Sequence, residues 1–117
     1  MTLGEISEKL GLRLLTPDLS EALSLEPSGG HVSDLLSDAL ANAPAGGVLV
    51  TIQAHMNVVA VAEHAELAAV VFAAGRAPEQ SVRDKAAEEG IALFVSDESA
   101  FDIVGQMHAL GLRGAAR

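Results

Sequence analysis

Residues 47–76 read GVLVTIQAHMNVVAVAEHAELAAVVFAAGR. An apolar run, Val48-Leu49-Val50-Thr51-Ile52, is broken by the polar residues Gln53, His55 and Asn57. A Val/Ala-rich segment follows, then a second apolar run from Leu67 to Phe72, ending in Ala73-Ala74-Gly75-Arg76. The spacing predicts strand, helix, strand. Two strands joined by a helical crossover are parallel, and the crossover is right-handed in nearly all such units. Near-continuous β-branched runs mark strands buried on both faces. Open α/β sheets bind ligands beyond the carboxyl ends of their strands, which is where these polar residues fall.

Outward from this unit the same alternation continues. Thr2-x-x-Glu5 is a capping box opening a helix over residues 2–10, with Leu3, Ile6 and Leu10 on its apolar face and Gly11 as its stop. GEISEKLG has the pattern of a first helix of a helix-turn-helix, but no recognition helix follows it. Residues 12–15 read as a short strand. Leu23 and Leu25 alternate with Ser24 and Glu26, which favours a strand within 19–26. Pro27-Ser28-Gly29-Gly30 reads as a turn with two glycines able to take positive φ. Residues 33–43 read as a helix capped by Ser33 and terminated by Pro44 and Gly46-Gly47. Asp34 and Asp38 sit four apart on its outer face, a spacing that suits either a solvated surface or a divalent cation.

Downstream, Asn57 is the expected N-cap of a helix to Ala65. Pro78 starts a helix over 79–89, with Glu79 and Arg83 spaced as an i,i+4 pair and Gly90 as its stop. Residues 91–95 are a further buried strand. Ser99-x-x-Asp102 is a second capping box, and Phe101, Val104 and His108 are expected to mark one face of the last helix, which Gly111 ends. The tail to Arg117 is expected to fray. The order predicts one domain over 1–117, core about 3–112, of class α/β: a three-layer sandwich with a mainly parallel sheet of four or five strands.

Composition narrows the function. The 117 residues hold no Cys, Trp or Tyr and three Phe, so the core must be Ala, Val, Leu and Ile, and thiolate zinc sites, disulfides and a Cys nucleophile are excluded. Sixteen acids against seven bases, with no Lys/Arg cluster, argue against nucleic-acid binding. No basic-then-apolar leader and no apolar stretch of about 18 residues is present, so a cytoplasmic protein that does not span a membrane is expected. No P-loop, dinucleotide fingerprint, nucleophile elbow or zincin motif occurs, and His31, His55, His64 and His108 are scattered. No catalytic set, metal site or cofactor is predicted. The residues singled out for ligand binding are those of the expected carboxyl edge: Gln53, His55, Asn57, Gly75, Arg76 and Ser96, with Asp97 adjacent. Free N–H groups at the helix starts of Asn57 and Ser99, with Arg76 as charge partner, would suit a phosphate or carboxylate. His55 as a catalytic base would need a neighbouring nucleophile that the sequence does not place.

Three stretches together, HVSDLLSDALANA (31–43), the run from Val48 to Pro78, and KAAEEGIALFVSDESAFDIVGQMHALGL (85–112), resemble a DRTGG domain over residues 3 to 112. The two signature elements are altered: Ala54-His55-Met56 stands for the first, and Ala73-Ala74-Gly75 for the second, where only the final Gly is kept. Such domains are similar to the N-terminal domain of HPr kinase/phosphorylase. They occur beside nucleotide-sensing CBS domains in some pyrophosphatases and in some phosphotransacetylases. The resemblance implies a non-enzymatic regulatory or assembly module, with sensing of a nucleotide or other phosphate-bearing ligand at the carboxyl edge as the alternative role. A homodimer is expected on separate grounds: a small protein with a Val/Ala/Leu-rich surface helix has little to do alone, and the isologous dimer is the commonest assembly. The resemblance also implies a possible protein partner in a redox or hydrogenase system, since stand-alone copies occur near such genes.

Overall fold

The computed structural model describes residues 1–115. Its elements are α1 (Leu3–Leu10), β1 (Arg13–Leu14), a 3₁₀ segment (Pro17–Ser24), β2 (Gly30–Val32), α2 (Leu36–Asn42), β3 (Val48–Thr51), α3 (Asn57–His64), β4 (Ala69–Phe72), α4 (Gln80–Glu88), β5 (Ala92–Val95) and α5 (Ala100–Ala109). The sheet order is β1-β5-β4-β3-β2. Strands β2 to β5 are parallel and adjacent in chain order, and β1 closes one edge antiparallel to β5. The expected α/β class and mainly parallel sheet are present.

Alternate residues of each strand feed two cores, as the two-residue period of a strand requires. Leu49, Val70, Phe72, Leu93 and Val95 pack under α2, α3 and α4 through Ala39, Val58, Val59, Ala62, Val82 and Ala86. Val48, Val50, Ala69, Val71, Ala92 and Phe94 face α1 and α5, which contribute Leu3, Ile6, Leu10, Ile103 and Met107. Alanines on the inner helix faces let the helices lie close to the sheet in a core that has few aromatic rings.

Both capping residues act as their positions suggest. Thr2 accepts from Glu5 N–H while Glu5 accepts from Thr2 N–H, the reciprocal bonds of a capping box. Ser99 accepts from Asp102 N–H at 3.2 Å. Elsewhere the structure corrects the expectations. The segment 19–26 is not a strand; Pro17–Ser24 is 3₁₀, started by Pro17 and laid against α1, where a Cβ on Gly4 would sit 3.1 Å from Leu23 O. Four alternating residues carry too little period to resist local i→i+3 bonds such as Leu19 N–H to Thr16 O. The fifth strand is instead β2, which starts at Gly30. Gly29 and Gly30 do not take positive φ. They are needed for close approach: a Cβ on Gly29 would lie 2.8 Å from Arg113 O. Helix α2 starts later than expected, with Leu35 at its N-cap. Ser33 Oγ accepts from Leu35 N–H in a turn before it. Arg83 donates from Nε to Pro78 O, not to Glu79. The frayed tail is replaced over 112–114 by a strap along β2, with Gly30 N–H donating to Arg113 O at 2.8 Å; its last two residues lie outside the described ones.

On α5 the expected row of Phe101, Val104 and His108 does share one face, around an open hollow, but it is not the buried one. The buried residues of the helix are Ile103 and Met107, and Phe101 is 86% exposed. Among the described residues no helix is long and apolar enough to cross a membrane.

Candidate functional site at the carboxyl edge

The loops after β3 and β4 and the start of α4 enclose an open groove of about 550 Å³. Its walls include Gln53, His55, Met56, Arg76, Glu79 and Ser81. The parallel sheet brings these together because every strand from β2 to β5 ends at this edge and is followed by a polar loop.

The loop after β3 is built from within. Thr51, fully buried, donates from Oγ1 to Asp34 Oδ1 at 3.0 Å and accepts from Gln53 N–H at 3.0 Å. Ile52 N–H donates to the same Asp34 oxygen at 2.8 Å. Asp34 thus ties the entrance of α2 to the end of β3. Asp38 faces elsewhere, accepting from Asn42 at 2.7 Å and lying 2.8 Å from His31 Nε2. The two aspartates do not converge, because Asp34 precedes the helix that carries Asp38. His31 and Asn42 hold the Asp38 pKa down to about 2 from an ordinary 3.8, chiefly through the His31 contact.

His55 Nδ1 accepts from Asn57 N–H at 3.1 Å. A ring nitrogen that accepts carries no proton, so the neutral ring presents its N–H at Nε2. Val58 and Val59 N–H bond to His55 O and Met56 O. The first N–H groups of α3 are therefore satisfied by their own loop rather than left for a ligand, and Met56 holds the N-cap position expected of Asn57. Across the groove, Ala74 and Gly75 take φ of 55° and 69°, which swings the chain out after β4. Ala74 N–H donates to Glu98 O and Gly75 N–H to Ser96 O, both at 2.8 Å, so this loop is pinned to the one after β5. Among the described residues no ion pair or hydrogen bond engages the Arg76 guanidinium.

Of the residues chosen from sequence, Gln53, His55 and Arg76 line the groove. Asn57 is the first residue of α3, and Gly75 and Ser96 stand on the flanking loops; Ser96 is buried and its Oγ accepts from Glu98 N–H at 3.1 Å. Glu79 and Ser81 were missed. The signal for them was Pro78, which marks a helix start and so puts the next few residues at the same edge. The groove offers an amide, an imidazole N–H, a guanidinium and a hydroxyl, opposed by the one carboxylate of Glu79. That set can orient a small polar or anionic molecule. It holds no nucleophile hydrogen-bonded to His55, which general-base catalysis would need.

No protein-family model matches the sequence, and no curated protein does. Among solved structures, the chain is similar to the CBS and DRTGG domains of the regulatory region of a Clostridium perfringens pyrophosphatase, a structure complexed with the activator diadenosine tetraphosphate. The TM-score is 0.74 at 12% identity, over 89% of this chain and 44% of that one, so this chain spans less than half the length of the structure it matches. At that identity the likeness speaks for backbone architecture, and the architecture agrees with the resemblance found in the residues: the chain has a DRTGG-like α/β fold.

Proposed function

We propose that this chain is a non-enzymatic regulatory module that works as a self-associated pair. The observation that carries this is the apolar surface on α5, where Phe101 stands 86% exposed beside the half-covered Val104 and the exposed Val32. Apolar side chains gathered on one face of a small domain mark an interaction surface, and two-fold pairing is the commonest assembly. The regulatory setting of the structural neighbour supports a non-catalytic role. Sedimentation velocity over a wide concentration range tests the pairing. A species of twice the chain mass, increasing with concentration, is expected; a single monomer throughout would overturn it.

A second reading rests on the groove, where Gln53, His55 and Arg76 converge. A phosphate-bearing small molecule bound there would make the module a sensor. A ligand that binds only the folded chain adds roughly 2.7 kcal/mol at about 100 times its Kd. Thermal unfolding against a panel of nucleotides and inorganic phosphates should then show a shift that Arg76→Ala abolishes. Absence of any shift across the panel would remove this reading and leave the first untouched.

A further inference from the structure

We propose that two copies of this chain pair through α5 about a two-fold axis, with Phe101 of each copy seated over Gly105 of the other. This rests on the self-association proposed above and names its surface.

The sheet itself calls for a missing helix. Five strands at about 4.8 Å span roughly 24 Å, and helices pack about 8–10 Å apart, so a full layer takes about three helices. One face has three, α2, α3 and α4; the other has α1 and α5, with Ala22 and Leu23 of the 3₁₀ segment packing beside α1. The shortfall is on the β2 side. There a groove of about 300 Å³ runs between α5 and β2, with Val32, Val50, Met107 and Leu112 in its walls. The strap over 112–114 fills part of this gap and takes the N–H of Gly30, which blunts strand addition at that edge. What remains open is the rest of this groove, bordered by α5.

That face is self-complementary. Helix α5 carries Ile103 and Met107 inward, while Phe101 and Val104 lie on another face, Phe101 exposed and Val104 half-covered. Phe101, Val104, Gly105 and His108 follow the i, i+3, i+4, i+7 spacing that forms the hole for a knob on a facing helix. An open hollow of about 630 Å³ lies over these four residues, walled also by Val32 and Ala100. Among the described residues nothing calls for glycine at 105: a Cβ there would meet nothing within 4 Å, and its φ is ordinary. Glycine inside a helix destabilises it, so the missing side chain needs another explanation. Phe101 is a knob without a hole and Gly105 a notch without a knob, one turn apart. An isologous contact joins each to the other twice.

Area and charge favour a second copy. A stable interface takes about 800 Å² from each partner, and a covered aromatic accounts for about 150–250 Å² of it. Two-fold pairing covers both phenylalanines at once, with Val32, Val104 and the groove floor adding to each side. In a chain with sixteen acids and seven bases, the four positions of this face hold no carboxylate. Two copies therefore meet here on uncharged side chains, with the exposed Asp102, next to Phe101 in the helix, at the margin of the contact.

The test compares dimer Kd values by sedimentation for the whole chain and three variants. Phe101→Ala should raise the Kd about thirtyfold or more, as loss of a buried aromatic anchor does. Gly105→Ala should raise it about tenfold by overfilling the notch, while raising the melting temperature of the diluted monomer, because alanine is the better helix former. A merely structural glycine would not separate these two readouts. Leu40→Ser, on the exposed α2 face, should leave the Kd unchanged. If the chain dimerises but Phe101→Ala and Gly105→Ala do not weaken it, or only Leu40→Ser does, the α5 pairing is overturned and self-association stands. If the wild-type chain is monomeric throughout, both fall.

Discussion

The two faces of the sheet are built from the same strands and finish differently. Under α2, α3 and α4, strand residues such as Phe72, Leu93 and Val70 are completely buried. Opposite them, Phe94 and Val71 are equally buried beneath α1 and α5, but Val32 at the β2 end of the sheet is 48% exposed. Successive β-α-β units supply one helix per crossover, three in all, to a single face. The second face receives α1, the 3₁₀ segment beside it and α5, which lie outside that series. Among the described residues its coverage is incomplete at the β2 end.

The largest effects should come from the filled layers. Phe72→Ala, emptying a fully buried site, is expected to cost about 3–5 kcal/mol, and Ile103→Ala on the opposite face about 2–5 kcal/mol, by urea unfolding. Phe101→Ala in the diluted monomer should change stability by no more than about 0.5 kcal/mol, as exposed positions do. A Phe101→Ala cost equal to that of Ile103→Ala would show that α5 is buried on both sides within one chain, and the contrast between the faces would fail.

Next comes the attachment of α5. Ser99→Ala removes the side chain that accepts from Asp102 N–H and should cost about 1 kcal/mol. Thermal unfolding unchanged by that substitution would mean that the start of α5 is held by packing alone. On the groove loop, Ala74→Gly should stabilise by about 1 kcal/mol, since Ala74 holds φ of 55°, a left-handed conformation that costs a side-chain-bearing residue about 1–2 kcal/mol. A destabilised Ala74→Gly would indicate that its methyl group makes a contact worth more than the backbone strain.

The smallest effect is electrostatic and belongs to the three-helix face. Asp38 has its pKa lowered to about 2 from 3.8, first by His31 and then by Asn42. A carboxylate with a depressed folded-state pKa contributes stability above its unfolded value. That contribution is lost as pH falls from about 4 through about 2. The carboxylate is partly exposed, so the effect should be slight and salt-sensitive. Denaturant midpoints of wild type and Asp38→Asn should differ at pH 5 and converge by pH 2. Parallel curves across that window would remove Asp38 from the acid response.

Much of this architecture was legible in the residues. Val48–Ile52, Leu67–Phe72 and Ile91–Val95 announce buried parallel strands because they are apolar on both faces, and Thr2, Ser99, Gly11 and Gly90 punctuate helices through backbone chemistry that acts locally. The candidate site was legible to the extent that polar loops after parallel strands must gather at one edge, which put Gln53, His55 and Arg76 in a common groove. Glu79 and Ser81 follow no strand directly; they reach the same edge because α4 starts there after Pro78. Local pattern alone could not reveal β2. Gly30-His31-Val32 has almost no strand signal, and it is a strand because β3 offers it a partner.

The sequence by itself determined the element order from β3 onward, the parallel pairing there and the placement of its polar loops, because period, capping and β-branching act over a few residues. Only the tertiary structure decided which face of α5 turns inward. Phe101, Val104 and His108 mark one apolar row and Ile103 and Met107 another. Helical periodicity cannot choose between two rows that both repeat. The choice was made by the shape of the space between α1 and the strap at β2, which takes Ile103 and Met107 and leaves Phe101 in water.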